Sequence, residues 1–426
     1  MAKSNTVFPK TGIPWKELHK AMDDVRKGDS DWHGGRMAMS TYVVDDEVSR
    51  VSHEAYGMFL TENALYSGEM AKKRKVGFIS LTLFHEEIIQ MALEIMNGPE
   101  GSGGQITTGG TESILLAVLG AREWARKHKP HIRTPRLLLP RTAHPAFNKA
   151  AHFYNLEVTR IPQGADCRAD VAAMEAALTD DVIMMVGSAP CYPFGVIDPI
   201  AELAAVASKR DIWFHVDACV GGYVAPFVRK LGYPVPEFDL GVPGVWSVSA
   251  DLHKYGYAPK NISTVLLRDA GLKDYFTFRF EEWPYGSYST PTIGGSRTGG
   301  SLAGAWTTMK FLGEEGYLKA AKTIMDTRQK LLGTLDTLGG FEVRGKPDIG
   351  LVNFGAQGFD IYAVADGMAA KGWAVARGRD PNGMHLALNP IHAKSIDSYV
   401  LDLSDVTGAV RKSGTRGKDE KAVYAG

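Results

Sequence analysis

From about residue 100 onward the chain alternates short apolar runs with longer stretches whose apolar residues recur every three or four positions. The runs at 105–108, 136–139, 157–161, 182–186, 212–216, 245–248 and 264–267 carry aliphatic and β-branched residues, and each predicts a strand. Segments of helical length separate most of them. This alternation predicts an α/β fold, with a mostly parallel seven-stranded sheet and helices on both faces. Ahead of the sheet, Leu18, Met22 and Val25 at helical spacing predict a helix over 15–26. Further helices are expected over about 47–65 and 83–96, the second stopped by Asn97, Gly98 and Pro99. Beyond 268 the polar and aromatic stretch FTFRFEEWPYGSYSTPTIGGSRTGG reads as a long ordered loop. Helices from about 301 and over 317–338 follow. Short strands near 341–343, 350–354, 374–376 and 385–388, with a helix over 361–371, then predict a small α+β C-terminal domain. The pattern divides the chain into an N-terminal helical arm (1–97), a large domain (98–312), a small domain (313–411) and a polar tail (412–426) expected to fray.

Composition narrows the classes of function. The 426 residues are 44% hydrophobic and 23% charged, enough to bury a large core. Lysine plus arginine equals aspartate plus glutamate, 48 against 48, so no global field recruits nucleic acid, and no nucleic-acid partner is expected. The three cysteines, Cys167, Cys191 and Cys219, are odd in number and scattered, which argues against a disulfide framework and for a reducing cytoplasm. MAKSNTVFPKTG at the start lacks an apolar signal core, and no apolar run approaches the roughly 18 residues of a spanning helix.

Several short segments carry chemistry. Thr107-Thr108-Gly109-Gly110-Thr111-Glu112-Ser113 opens a helix, so its backbone N–H groups can cradle a phosphate, although a hydroxyl-capped turn would read the same way. It has neither a P-loop ending nor a GxGxxG spacing, which disfavours nucleotides. Asp217 ends the apolar run WFHVD, where a carboxylate can pair with a protonated ring nitrogen; with His215 it is also half of a metal site, but no third ligand stands at useful spacing, and no metal is expected. Cys219 reads as a small buried filler. His144, just before Pro145, is either a half-buried capping histidine or a flat ring that stacks on a cofactor. Lys254 follows a strand inside SADLHKYGYAPK; it is either a solvated lysine or an amine that forms a Schiff base with a carbonyl. All four features fall at strand-to-helix or strand-to-loop junctions, where open α/β sheets bind ligands.

The segments TGGTES, AHPAFNKA, SAPCYPFGVIDPI, HVDACVGG, SADLHKYGYAPK and STPTIGGSR together resemble those of the sphingosine-1-phosphate lyases, within the group II pyridoxal-dependent decarboxylases, over roughly residues 32–411. The resemblance implies the fold-type I fold of pyridoxal 5′-phosphate (PLP)-dependent transferases. It makes Lys254 the Schiff-base lysine, Asp217 the partner of the ring nitrogen and His144 the stacking residue. Gly110, Thr111 and His253 would contact the cofactor phosphate, and Gly295 and Ser296 would reach it from the neighbouring subunit of a homodimer. Tyr42, Tyr66 and Lys260 would meet the substrate phosphate; Lys260 also reads as an ordinary loop lysine. Two departures bear on substrate identity. Tyr66, in Asn63-Ala64-Leu65-Tyr66, stands where the family has a phosphate-binding histidine, and a longer stretch after it carries Lys72, Lys73, Arg74 and Lys75, which reads as a solvated run or as a contact for an anionic head group.

The activity so implied is carbon–carbon cleavage of a phosphorylated long-chain amino alcohol into a fatty aldehyde and phosphoethanolamine. The base for the substrate hydroxyl is then the released Lys254, Tyr257 or the cofactor phosphate. The same residues also suit an amino-acid decarboxylase, and a non-catalytic scaffold homologue is a third reading.

Overall fold

A computed structural model describes residues 8–66, 72–73 and 75–418. Seven strands form the main sheet: β1 (Gly103–Thr107), β2 (Arg136–Pro140), β3 (Glu157–Ile161), β4 (Val182–Ser188), β5 (Trp213–Asp217), β6 (Ser247–Ala250) and β7 (Ser263–Leu267). Their order across the sheet is β1-β7-β6-β5-β4-β2-β3. Only β7 runs against its neighbours, β6 and β1; the other pairs are parallel. All seven predicted strands are present; the central β4 and β5 are buried along their whole length, whereas the edge strand β3 is exposed to half-buried throughout.

Helices cover both faces. α1 (Trp15–Arg26), α2 (Asp46–Met58) and α3 (Ile79–Ile95) precede the sheet. α4 (Gly110–His128) and α5 (Ala146–Tyr154) pack Ile114, Ala121 and Phe147 on one face, against Leu137, Ile183 and Trp213. On the other face, α7 (Ile200–Ser208) and α8 (Ala225–Lys230) join α3 over Leu138, Met185 and Phe214. The short α6 (Val171–Ala176) lies between β3 and β4, capped by the Asp170 carboxylate, which accepts from the Ala173 N–H. α3 is thus part of the main core, with Leu81 and Ile88 fully buried, rather than part of a separate arm. α2 also ends earlier than its periodicity suggests, at Met58, and residues Ala64–Tyr66 form a single 3-10 turn.

The stretch expected to be one long loop contains a small two-stranded ribbon, β8 (Phe278–Phe280) and β9 (Tyr288–Thr290). Its strands are three residues long and mostly exposed, so no buried periodicity marks them. The two helices expected next are present within α9 (Gly299–Leu338) and meet at a kink at Gly313, whose φ of 54° and ψ of −173° are not helical and whose φ a side chain would disfavour. A four-stranded antiparallel sheet follows, in the order β10 (Phe341–Val343), β11 (Leu351–Ala356), β13 (Asn382–Ala387), β12 (Ala376–Arg379), covered by α10 (Ile361–Ala370) and α11 (Ile396–Ser413). The expected strands at 374–376 and 385–388 are displaced, because the tight turn at Asp380 and Pro381 sets the β12–β13 register around Arg379 and Asn382. α11 continues to Ser413, and the Gly417 and Lys418 N–H groups donate to Asp360 and Asp366; the rest of the tail expected to fray, 419–426, lies outside the described residues. Among the described residues no helix is long and apolar enough to cross a membrane.

β5 fixes the direction of the site. Phe214 and Val216 enter the core under α7 and α8, so by the two-residue period Trp213, His215 and Asp217 face α4 and α5. Replacing Phe214, fully buried on this central strand, by alanine is expected to cost about 3–5 kcal/mol, read as a lower midpoint in chemical denaturation.

Candidate active site

The carboxyl ends of β1, β2, β4, β5 and β6 share one edge of the sheet, and the loops leaving them converge. His144, Ser188, Pro190, Asp217, Val220 and Lys254 line a single small cavity there, together with Tyr192 and Cys219. Three of the residues read from the sequence, Lys254, Asp217 and His144, are therefore brought together.

Asp217 sits at the end of a buried polar seam between β5 and β6, whose register pairs His215 with Ser247 and Asp217 with Ser249. The Asp217 Oδ1 atom accepts from the Cys219 backbone N–H (3.1 Å) and from the Ser249 hydroxyl (3.4 Å). The Ser249 hydroxyl in turn lies 3.1 Å from His215 Nε2, and His215 Nδ1 lies 2.8 Å from the Ser247 hydroxyl, to which Trp213 Nε1 also donates. One arrangement satisfies every group: Nε2–H of a neutral His215 donates to Ser249, which passes its own proton toward Asp217. Burial lowers His215 to about 4, which keeps it neutral, and both ring nitrogens are engaged by serines.

His144 accepts the Ala146 N–H at Nδ1 (3.1 Å), which turns the imidazole across the N-terminus of α5. Burial lowers its pKa, opposed by Asp217, so a flat neutral ring forms one wall of the cavity.

Lys254 lies in the β6–β7 turn. Its Nζ is 3.0 Å from Oδ2 of Asp251, which is 2% exposed, and the His253 Nε2 is 3.6 Å from the same oxygen. Burial disfavours the Lys254 ammonium, but the Asp251 carboxylate, followed by Cys219 and Tyr42, together more than offset it, so the pKa stands well above the usual lysine value. The sequence reading missed Asp251. Its signal was a carboxylate three residues before a strand-end lysine, a spacing that by itself matches many surface turns. Cys219 was read as filler; it is buried, but it also lines the cavity.

The glycine loop meets this group from above. A Cβ on Gly110 would fall 2.7 Å from Cys219 Sγ and 2.8 Å from both Asp251 oxygens, so only glycine lets the N-terminus of α4 approach. One on Gly109 would meet His253 Cε1 at 3.3 Å. Gly110, Thr111 and His253 do not themselves line the cavity, but Gly110 lies against Cys219, which does, and the first-turn N–H groups of the helix beside an imidazole are a donor set that suits a phosphate. Burial lowers the His253 pKa, and its Nδ1 accepts the Ile262 N–H, which leaves Nε2–H as donor.

A second group borders Lys254 from the arm. Tyr42 meets Tyr255 edge to face at 4.9 Å, and the Lys260 ammonium lies 5.4 Å from the Tyr42 ring centre while donating to the Ser40 carbonyl. Burial and the charge of Lys254 lower the Lys260 pKa. Tyr257 is buried and held well above the usual tyrosine value, which makes it a poor base at neutral pH and removes it from that role. Beyond His144 and Tyr192 the cavity opens into a cleft of about 890 Å³ between the large domain and the second sheet, bordered by Arg141, Arg160 and Arg377.

Gly295 and Ser296 do not line the Lys254 cavity. Within one chain their turn is tied by the Ile293 N–H to Glu112 (2.8 Å) and by Asn63 to the Ser296 hydroxyl (2.9 Å). The Glu112 carboxylate also accepts from Thr108, so the turn is anchored to the glycine loop of its own chain. The side chain of Tyr66, and Arg74 of the basic run, lie outside the described residues. Lys72 pairs with Glu86 on α3, as a solvated run would.

Comparison with known proteins agrees with this geometry. Residues 80–357 match the pyridoxal-dependent decarboxylase conserved domain. A sphingosine-1-phosphate lyase of Arabidopsis thaliana is 38% identical over 95% of this chain and 74% of its own. The chain belongs to the pyridoxal-dependent decarboxylase family, in its sphingosine-1-phosphate lyase branch. A solved sphingosine-1-phosphate lyase of Burkholderia pseudomallei superposes with a TM-score of 0.90 at 35% identity, over 96% of this chain and 94% of its own. A glutamate decarboxylase of Lactobacillus brevis shares the fold, with a TM-score of 0.82 at 19% identity over 96% and 95% of the two chains. The family's cofactor is PLP, and the glycine cradle, Lys254 and Asp217 fit its phosphate, carbonyl and ring nitrogen.

Gly110→Ala is expected to leave the chain folded by circular dichroism but to weaken PLP binding at least tenfold in a fluorescence titration, because the added methyl lifts the cradle off Asp251 and Cys219.

Proposed function

We propose that this chain is a PLP-dependent carbon–carbon lyase that cleaves a phosphorylated long-chain amino alcohol into a fatty aldehyde and phosphoethanolamine. The observation that carries the reading is the convergence of Lys254, Asp217 and His144 on one cavity, with Tyr42 and Lys260 beside it. When bound, PLP supplies an electron sink for the charge left on carbon as the bond breaks.

The chain's residues do the rest. Asp217, held by the Cys219 N–H and Ser249, would pair with the ring nitrogen. His144 would lie beside the ring, and the N–H groups of Gly110 and Thr111 with His253 Nε2–H would hold the cofactor phosphate. Lys254 would be the amine that holds the cofactor carbonyl. Lys260 provides positive charge and Tyr42 a hydroxyl for the substrate phosphate, with Tyr66 as a further hydroxyl donor.

The working unit is a homodimer in which Gly295 and Ser296 complete the partner's site. Support comes from α1, which has no buried residue although Trp15, Leu18, Met22 and Val25 recur on one face, and from the exposed Phe278, Trp283 and Ile293 next to the Gly295 turn. A second copy of the chain is the natural cover for these surfaces. A cytoplasmic setting fits the three free thiols.

The reading is tested by products: incubation with a phosphorylated sphingoid base should yield phosphoethanolamine and a long-chain aldehyde, and Lys254→Ala should abolish both. Carbon dioxide from an amino-acid panel, without aldehyde, would assign the decarboxylase reading instead. Lys260→Ala should raise KM for the phosphorylated substrate about tenfold or more, with a smaller change in kcat, since an ammonium lost at a phosphate removes binding. Leu18→Glu combined with Met22→Glu should shift the mass seen by light scattering from dimer toward monomer.

A further inference from the structure

Asp251 is the buried charge nearest to Lys254, and the chemistry described so far does not use it. Its Oδ2 lies 3.0 Å from Lys254 Nζ; its Oδ1 is buried without a hydrogen-bond partner. Gly110 of the phosphate cradle lies directly over the carboxylate. A buried carboxylate left with an open lone pair is costly unless a cation stands beside it. Lys254 is that cation, and His253 Nε2–H stands slightly further off at 3.6 Å.

We propose that Asp251 is a positioning residue that fixes both the place and the proton of Lys254, so that the free amine at this site is an ammonium ion and acts as an acid rather than as a base. The proposal rests on the reading of Lys254 as the cofactor-bearing lysine. Its consequence is that the lysine displaced by a substrate amine does not remove the substrate hydroxyl proton. It holds a proton that it can deliver from Nζ to the carbon that has lost its neighbour, and it then stands as the neutral amine needed to release the product. The hydroxyl proton would then go to the cofactor phosphate, the one acceptor of the three that is neither Lys254 nor the buried Tyr257 phenol.

The other groups facing Lys254 do not substitute for Asp251. Tyr42 comes from the arm, His144 from the loop after β2, Asp217 and Cys219 from β5 and its loop, and His253 and Lys260 from the lysine's own turn. Burial holds Cys219 and both histidines neutral near pH 7, Lys260 adds positive charge, and Asp217 is engaged by Cys219 and Ser249. Among these groups Asp251 is the only carboxylate recorded in an ion pair with the amine.

Two measurements test this, neither of which reads turnover. In the full-length PLP-bound protein, the visible absorbance of the lysine-bound cofactor is titrated with pH. Asp251→Asn should lower the midpoint by at least one unit, a tenfold change in the proton equilibrium, whereas Asp251→Glu should restore most of the shift. In the full chain after cofactor removal, acetylation of Lys254 is followed by mass spectrometry against exposed lysines such as Lys319. Asp251→Asn should raise the Lys254 rate at pH 8 about tenfold or more, and Asp251→Glu should not. An unchanged midpoint together with unchanged acetylation in Asp251→Asn overturns the proposal, as does an equal change in the Asn and Glu variants, which would mark a packing role. If Asp251→Asn does not fold, the parent chain still decides: Lys254 acetylation must continue to rise with pH beyond about 10.4, the ordinary lysine value, and a plateau at or below it overturns the proposal. Both readouts are independent of which substrate is cleaved, so failure of the lyase reading leaves them interpretable.

Discussion

Five strand ends have to meet on one edge of the sheet, and the rest of the site follows from that constraint. A parallel strand delivers its carboxyl-terminal loop to the same edge as its neighbours, so β1, β2, β4, β5 and β6 contribute the glycine loop, His144, Tyr192, Asp217 and Lys254 to one place. β7 runs the other way, so the β6–β7 connection, residues 251–262, is a loop rather than a crossover helix. Lys254 lies in the first part of that loop, beside the strand end that carries Asp217. Ser263, at the start of β7, reinforces the loop by donating to the Ala250 carbonyl.

Within that frame the electrostatics are arranged in two layers. Along β5 and β6 a chain of Trp213, Ser247, His215 and Ser249 ends on Asp217, with every donor given an acceptor, so an ionised carboxylate is tolerated in the interior. At the mouth, Asp251 stands between the lysine and the phosphate cradle, and Gly110 has no side chain because the carboxylate and Cys219 occupy its space. The neutral imidazoles of His144 and His253 result from burial rather than from a charged partner. One carboxylate thus faces the ring nitrogen and another the amine, which separates the electron sink from proton handling.

Legibility from sequence differed by element. The central strands β4 and β5 were readable because a strand buried on both faces must be largely apolar, whatever packs on it, and the edge strand β3 through its β-branched Val158, Thr159 and Ile161. β8 and β9 were not, since three-residue exposed strands have no such requirement. The displaced β12 was misplaced for a related reason: its register is set by a turn and by its partner β13, not by its own half-buried residues. The contacts of Gly417 and Lys418 were also hidden, because Asp360, which caps α10, and Asp366 within it lie more than fifty positions away.

The amino-acid sequence by itself determined the α/β architecture and, through motifs whose residue types suit a cofactor's parts, the identities of Lys254, Asp217 and His144. Hydrophobic periodicity and the chemistry of a side chain are local properties, and both can be read one segment at a time. Only the tertiary structure decided which charge governs Lys254. Asp251 and Lys254 are three residues apart in either case. In an exposed turn such a pair contributes little, because water screens it; here the sheet, α4 and Cys219 exclude water, and the same two residues set the protonation of the site.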